Sequence, residues 1–498
     1  MKFIKDRFLI AAAGLLMVCL PSCDLEEANI NPNNTTDAAV PVLLASTQAN
    51  LVWAINDFAA QSTSTLVQQL AGTLNVQLNV TTYKYLPTNF QTTWNDHFYA
   101  GTMKDLKTII DKSTENQAYL HYRGVAKIQM AMALGYIVDL WGDAPYTTAL
   151  DLEGNPKPTY DRGADLYAEM FKLFDEGVAD LNSPSALSPS TNDRFFPAAT
   201  EALWRTTSIP RWIKTVNALK ARYQNHLSKI DAQGSAQKAL DAIAAGTFTS
   251  NADELKVSFG STSDTAGPWY QFLQGSFGLN NIAISQEFIT MLNDRVSPGV
   301  DDPRLRFYAT DNVGSPDADG NYIGTPYGAT IPTGAAKFGP YINTPGAPTN
   351  IITYAEVKFI EAEANFRLGK FTEAAAALNA AVKASILRVT GAADAAYEAK
   401  YASETAATIQ VDGLQKIFTE KYIALFLETE AWTDWRRSIP AGAAGTTNGI
   451  PAIKVLPAGD TGTNGVFPRR FLYPTSEIDN NVENITSTSM TERVFWDL

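Results

Sequence analysis

The 498-residue chain has only two cysteines, Cys19 and Cys23, so a disulfide-stapled framework is excluded. Histidine is nearly as scarce: His97, His121 and His226 are the whole supply and none sits in a paired motif, which leaves no His/Cys set at metal-ligand spacing. Beyond the N-terminus, no stretch approaches the run of about 18 apolar residues that a membrane-spanning helix needs. There is neither a Gly-x-Ser-x-Gly nucleophile elbow nor a phosphate-binding P-loop. Positive charge is in short supply too. The 39 Lys and Arg against 52 Asp and Glu give a net charge of −13, which disfavours nucleic acid, whose phosphates demand a basic face. Among catalytic residue types only carboxylates are plentiful. They allow many glycosidase-like pairings, and the deciding separation of about 5 to 9.5 Å is not written in the spacing.

What the chain does have begins with an export signal. Lys2, Lys5 and Arg7 precede an apolar or small-residue run, Phe8 to Leu20, of signal-peptide length. The run ends in Leu20-Pro21-Ser22-Cys23, similar to a bacterial lipobox, so residues 1–22 are expected to be removed and Cys23 to be lipidated. The other reading is an ordinary cleavage site with an incidental cysteine. Cys19, however, lies in the removed part and leaves Cys23 without a disulfide partner, a lone thiol that acylation explains. Asp24 to Glu27 and Asn31 to Thr36 are acidic, polar and turn-forming, so residues 23–36 are expected to be a tether.

The body, residues 37–498, is expected to be one mostly α-helical domain. Its clearest segment is Thr353 to Gly391. Thr353 and Glu356 form the pattern of a capping box. Val357, Ile360, Ala364 and Leu368 recur at helical spacing, with Phe359, Ala362 and Phe366 beside them, so two faces are apolar. Gly369 ends this helix, and Thr372 is expected to cap a second one with small residues at Ala374 to Ala377. The unit is similar to one tetratricopeptide repeat, which needs neighbours to bury its outer faces. An ordinary αα-hairpin is the simpler alternative. Trp212 to Ile230 followed by Ser235 to Ala245 repeats the pattern, beyond a Pro/Ser-rich link from Asn182 to Pro197. Helical spacing also marks residues 37–75, 118–141, 160–181 and 411–435, so the helical repeats are placed at 37–246 and 353–435.

Between them, residues 247–350 lose the helical period, apart from a short helix over Ala283 to Leu292. Asp311 to Asn350 holds seven glycines and six prolines, a loop composition that suits function. Asp317-Ala318-Asp319-Gly320 lacks the spacing of a calcium loop and reads as a turn. Two aromatic clusters stand where helical periodicity fails. One holds Tyr83, Tyr85, Phe90, Trp94, Phe98 and Tyr99 among amides; the other is Gly267 to Phe272 with Trp269 and Tyr270. Rings beside amides suit a carbohydrate, whose apolar face packs on a ring while its hydroxyls bond the amides. Tyr83, Tyr85, Trp94, Trp269 and Tyr270 are therefore the candidate ligand residues, against the alternative that such rings are core.

Several motifs in order carry a family resemblance. The Ser22-Cys23-Asp24 lipobox, the Asn29 to Asn33 tether, Trp141-Gly142-Asp143-Ala144-Pro145, Asp302-Pro303-Arg304-Leu305 and Tyr473-Pro474 through Glu477 to Asn480 resemble the SusD/RagB family of outer-membrane nutrient-binding lipoproteins. The late helix departs from the family's Glu-Gly-x-Arg-Trp-x-Asp pattern, with Thr429 and Ala431 in place of the Gly and the Arg, as in a divergent branch. The resemblance implies a tetratricopeptide-like scaffold, no catalytic residues, no cofactor and no metal. It further implies a lipid-anchored, outward-facing receptor that hands an oligosaccharide, or a peptide, to a TonB-dependent transporter. Two other classes stay open: an anchored glycoside hydrolase, and a periplasmic tetratricopeptide adaptor that binds peptide tails. Glu420, Glu428 and Asp434, near Arg436 and Arg437, read as structural ion pairs or caps.

Overall fold

The computed structural model describes residues 38–150, 154–275, 278–310, 322–440 and 449–498. The export signal, Cys23, the tether with Asn29 to Asn33, and the Asp317 to Gly320 turn lie outside the described residues. In chain order the elements that matter here are α1 (Val40–Asn56), α2 (Phe58–Leu66), β1 (Leu70–Gly72), α3 (Asn75–Thr81), a π-helix (Thr92–Met103) and α4 (Lys104–Glu115). They continue with α5 (Leu120–Trp141), α6 (Gly163–Leu181), α7 (Glu201–His226), α8 (Ala232–Ala244), β2 (Leu255–Val257), α9 (Pro268–Gln274), β3 (Ile282–Ile284) and α10 (Gln286–Leu292). The last are β4 (Thr349–Ile352), α11 (Tyr354–Arg367), α12 (Phe371–Thr390), α13 (Gly413–Ala424) and α14 (Glu430–Ser438).

The helices stack in sequence-adjacent pairs, α5 on α6, α7 on α8 and α11 on α12, and α8 against α11 joins the second pair to the third. Small residues make that junction. Ala221, Ala236, Ala239 and Ala364 are fully buried around Ile360, so the backbones approach closely. The second face of α11 packs Phe359 and Ala362 on Ala374, Ala377 and Leu378 of α12. Both apolar faces of α11 are thus covered, as its sequence requires. The structure is mostly helical and its strands are short: β1 pairs antiparallel with β3, and β2 with β4.

Local expectations fail in instructive places. Thr353 does cap α11, its hydroxyl accepting from the Glu356 amide at 3.2 Å. The box is only half formed, because the Glu356 carboxylate turns inward to take Arg222 of α7 at 2.6 Å through both oxygens. Thr372 is not the cap of α12; Lys370 holds that position without a side-chain bond. Residues 37–75 are not one helix, since the backbone leaves the helical region at Asp57. The hairpin helix α7 starts at Thr200, well before Trp212, and contains Pro210. Residues 76–99, where the helical period fails in the sequence, are nonetheless mostly wound and run into the π-helix. Ala283 to Leu292 divides into β3 and α10. Finally, residues 411–435 split into α13 and α14 around a break in which Leu427 has φ +68°.

Candidate functional site

Four segments converge on one open cleft: the end of α1 at Asn56, the start of α9, the loop before β4, and the break between α13 and α14. Gly267-Pro268 opens α9, with Pro at the first helical position where its missing N–H costs nothing. The first turn therefore carries Trp269 and Tyr270 to the cleft. Trp269 is 7% exposed and edge-on to Phe272, while Tyr270 is half-buried. The α13–α14 break matters most, because a continuous helix would carry Glu428 round to a different direction. The left-handed residue Leu427 instead turns it into the cleft.

The polar groups form a short chain. Asn350 Nδ2 donates to Tyr341 Oη at 3.0 Å and to Glu428 Oε1 at 3.2 Å. Arg388 donates to Tyr341 Oη at 2.6 Å and to the Ala424 carbonyl at 2.8 Å, which leaves the phenolic proton available to a ligand. Burial pushes the Glu428 carboxyl up to about 7, against the opposing charge of Arg388. The cleft encloses about 30 Å³. Behind Asn56, Asn350 and Glu428 lies a polar void of about 10 Å³, the size of one water, that reaches Arg222 and Glu430. Chemically the site offers ring surface, a phenolic donor, amides, and a carboxyl able to donate or accept.

Of the sequence-chosen residues, the structure brings Trp269 and Tyr270 together here and places the other three elsewhere. Tyr83, Tyr85 and Trp94 are each 1% exposed and belong to the core. Tyr83 lies on Phe467 with ring centroids 5.0 Å apart. Tyr85 donates to the Arg470 carbonyl at 3.1 Å. Trp94 meets Trp141 and Tyr473 edge-on at 5.1 and 5.6 Å. Rings covered in this way have no open face for a sugar, and deleting Trp94 would cost about 3–5 kcal/mol of stability. The same cluster accounts for two of the motifs. Trp141 Nε1 donates to the Leu472 carbonyl at 2.9 Å and Tyr473 Oη to the Asp143 carbonyl at 2.6 Å, so Trp141-Gly142-Asp143 and Arg470 to Pro474 are halves of one packing unit. Asp302-Pro303-Arg304 is likewise internal: Arg304 is fully buried on Asp302, with Glu420 and Tyr397 alongside.

Asn56, Tyr341, Asn350 and Glu428 were not singled out for the site from sequence. The only local signal was position: Asn350 closes the Gly/Pro-rich stretch just before helical periodicity resumes. Glu420 and Asp434 do form ion pairs, with Arg295 and Arg304 and with Lys421 and Arg437. Glu428 is 3.8 Å from Arg388 and faces the cleft. Among the described residues one cluster has metal-like composition, Asp139, His226 and Glu430. Both His226 nitrogens are engaged, Nε2 by Glu430 Oε1 at 2.8 Å and Nδ1 by Tyr167 Oη at 3.0 Å. Burial alone would lower the His226 pKa, but the Glu430 and Asp139 carboxylates outweigh it and lift it to about 9. The ring is itself the cation of this cluster.

A helical-repeat body that carries an aromatic and amide cleft has the geometry of a small-ligand binding protein. Residues 32–474 match the SusD-like family described as starch-binding, associating with the outer membrane, and the chain belongs to that family. No curated protein sequence matches it. Among solved structures, a chitin-binding protein is similar at 24% identity with a TM-score of 0.74, covering 92% of this chain and 100% of that one. A SusD/RagB family protein from Bacteroides thetaiotaomicron is 21% identical with a TM-score of 0.74, over 93% and 99% of the two chains. A chitin-binding SusD homolog from Flavobacterium johnsoniae is 21% identical with a TM-score of 0.68, over 92% and 97%. The fold is therefore SusD-like, and the family function is nutrient binding at the outer membrane.

Proposed function

We propose that this protein is a cell-surface receptor that holds an oligosaccharide at the Trp269/Tyr270 cleft and passes it to a TonB-dependent outer-membrane transporter. The observation that carries the reading is the convergence of two rings with Tyr341, Asn350 and Glu428 from distant segments. A sugar presents an apolar face and a rim of hydroxyls, and this cleft answers both. Its enclosed part accommodates one substituent, a hydroxymethyl or acetamido group, so the sugar ring lies outside against Tyr270. The names of the chitin-binding neighbours make an N-acetylated glucosamine oligomer the first ligand to try.

The test is calorimetric titration of the full chain in detergent with chitotetraose and with maltoheptaose. Tyr270→Ala is expected to weaken the bound sugar by roughly 1–3 kcal/mol, about 5- to 150-fold, with little change in Tm because the ring is half-buried. Unchanged affinity in that variant would move the site elsewhere. Recovery of the sugar intact after prolonged incubation separates a receptor from an anchored hydrolase.

Anchorage is proposed through acylated Cys23, with the acyl chains each burying about 0.8 kcal/mol per CH₂. Cys23→Ala is expected to leave the membrane fraction or to remain unprocessed; normal retention would end the lipoprotein reading. Protease added to intact cells is expected to degrade the wild-type chain, and full protection would favour the periplasmic adaptor.

A further inference from the structure

Positive charge, scarce in this chain, is gathered in one place. A second cleft, enclosing about 310 Å³, lies where the ends of α7, α11 and α14 meet the side of α13, and it shares no lining residue with the first. Lys229, Arg367 and Arg437 line it together with the Ser228 hydroxyl, and among the described residues no carboxylate does. A net charge of −13 would lead one to expect the opposite. The wall formed by α13 is apolar, with Leu414 and Phe418.

The carboxylates stand behind the cations and are too few for them. Glu363 is shared by Arg367 at 2.7 Å and Arg437 at 3.0 Å, Asp434 by Arg437 at 2.5 Å and Lys421 at 2.6 Å, and Asp497 by Lys229 at 2.7 Å and Arg469. Five cations thus have three carboxylates between them. Glu430, 3.9 Å from Lys421, is already engaged by the His226 imidazolium, and the Leu498 main-chain oxygen, 3.4 Å from Lys229, offsets at most one of the two charges left over. Helix ends attract cations through their free carbonyls. Of the three lining cations, however, only Arg437 bonds such a carbonyl, that of Asn225 at 2.9 Å, so most of the donors are not used up there.

Donors remain open at the cleft. Arg367 holds Glu363 through Nε and Nη2, which leaves Nη1 without a partner among the described residues. Ser228 Oγ accepts from Arg437 Nη1 at 2.9 Å, so its own proton is free for another acceptor. Arg437 is 2% exposed and its Nε has no hydrogen-bond partner, a costly state for a buried charged donor. Burial draws the Lys229 ammonium down to about 8 in spite of Asp497, with Arg469 and Arg493 acting in the same direction. Guanidinium, ammonium and hydroxyl donors arriving from different helix ends suit an anion with more than two acceptor oxygens. A carboxylate is planar and offers two, whereas a phosphate monoester offers three and carries about −1.5 to −2 charges at pH 7. The volume is near the small end of ligand clefts, about 300 Å³, and exceeds what the phosphate alone needs.

We propose that this cleft binds a phosphate monoester, the phosphate held by Arg367, Lys229 and Ser228 over the buried Arg437, and its organic group against Leu414 and Phe418. The site is separate from the Trp269 cleft and does not depend on what that cleft binds.

The experiment is calorimetric titration of the full chain in detergent and phosphate-free buffer with glycerol 3-phosphate, glycerate and glycerol, and with dihexanoylphosphatidate, which presents the same phosphate as a lipid headgroup. Glycerol 3-phosphate is expected to bind, glycerate about tenfold more weakly, and glycerol not at all. Arg367→Gln is expected to weaken the phosphate about tenfold and Ser228→Ala about fivefold, as suits loss of one hydrogen bond to a charged group. Far-UV circular dichroism checks that each variant is folded, and the small Ser228→Ala deletion carries the test if Arg367→Gln is not. Tighter binding of dihexanoylphosphatidate than of glycerol 3-phosphate would assign the phosphate to a membrane lipid, and weaker binding to a soluble ester. No binding of either phosphate at millimolar concentration, glycerate equal to glycerol 3-phosphate, or unchanged affinity in the folded variants would each overturn the proposal.

Discussion

Glu428 shows how much one carboxyl depends on its surroundings. Burial raises its pKa from 4.5 to about 7, so the folded chain holds this proton more tightly than the unfolded chain does. Stability from that difference is complete below pH 4.5 and is lost as pH rises through 7. Gln has the same shape and does not ionise. Glu428→Gln is therefore expected to match the wild type near pH 5 and to exceed it in stability by up to about 3 kcal/mol near pH 8. Thermal melts at the two pH values measure this, and a pH-independent difference would mean that Glu428 ionises without penalty. Sequence reasoning put Glu428 on a continuous helix among ion pairs, because the break at Leu427 carries no glycine to announce it. Trp269 and Tyr270 were legible for the opposite reason: Gly267-Pro268 is visible punctuation, and the rings follow it directly. Tyr83, Tyr85 and Trp94 have the same composition, but each is also covered from more than 300 residues away, at Phe467 to Tyr473, beyond any local pattern.

Elements were legible where a helix carries its own ends. α5 stops at Gly142 with φ +91° and α12 at Gly391 with φ +75°, both positions that the sequence marks. The sequence pattern places α7 only from Trp212, whereas its start is the Thr200 hydroxyl accepting from the Leu203 amide at 3.2 Å, with Pro210 inside the helix. How the helices pair is less visible still. α5 and α6 touch backbone to backbone through Gly124 and Gly177. A Cβ on Gly177 would lie 2.7 Å from Ile128 Cγ1 and 2.9 Å from the Gly124 carbonyl oxygen. Alanine in an open helix position is favoured over glycine by about 1 kcal/mol. Here one obstacle is backbone, so the clash dominates, and Gly177→Ala is expected to destabilise by about 1–3 kcal/mol. The measurement is the denaturant midpoint at constant m; a more stable variant would show that the two helices have room to part.

At the scale of the whole molecule, a single imidazolium ties the helical stack to the C-terminal segment. His226 of α7 lies between Glu430 of α14, at 2.8 Å, and Asp139 of α5, at 3.3 Å. Tyr167 of α6 and Trp496 both donate to Asp139, the latter at 2.9 Å. Partners 204 residues apart in the chain cannot be paired from spacing, and the sequence showed His226 only as one of three unpaired histidines. Raised from 6.5 to about 9, His226 contributes stability that is complete below pH 6.5 and lost as pH climbs through 9. For Glu430, burial acts upward but the His226 charge prevails and lowers it to about 2, so its share is present above pH 4.5 and lost as pH falls through 2. Both contributions are complete only between pH 4.5 and 6.5. His226→Gln keeps a polar group in place but removes the charge and leaves Glu430 buried without its main counter-ion. The variant is expected to be less stable than the wild type by up to about 3 kcal/mol near neutral pH, with the gap closing as pH passes 9. Because Glu428 also loses stability on the alkaline side, the comparison belongs in the Glu428→Gln background, where only the imidazolium still titrates between 6.5 and 9 within this network. Urea midpoints that fall in parallel for the two chains from neutral to alkaline pH would mean that His226 is neutral in the native protein.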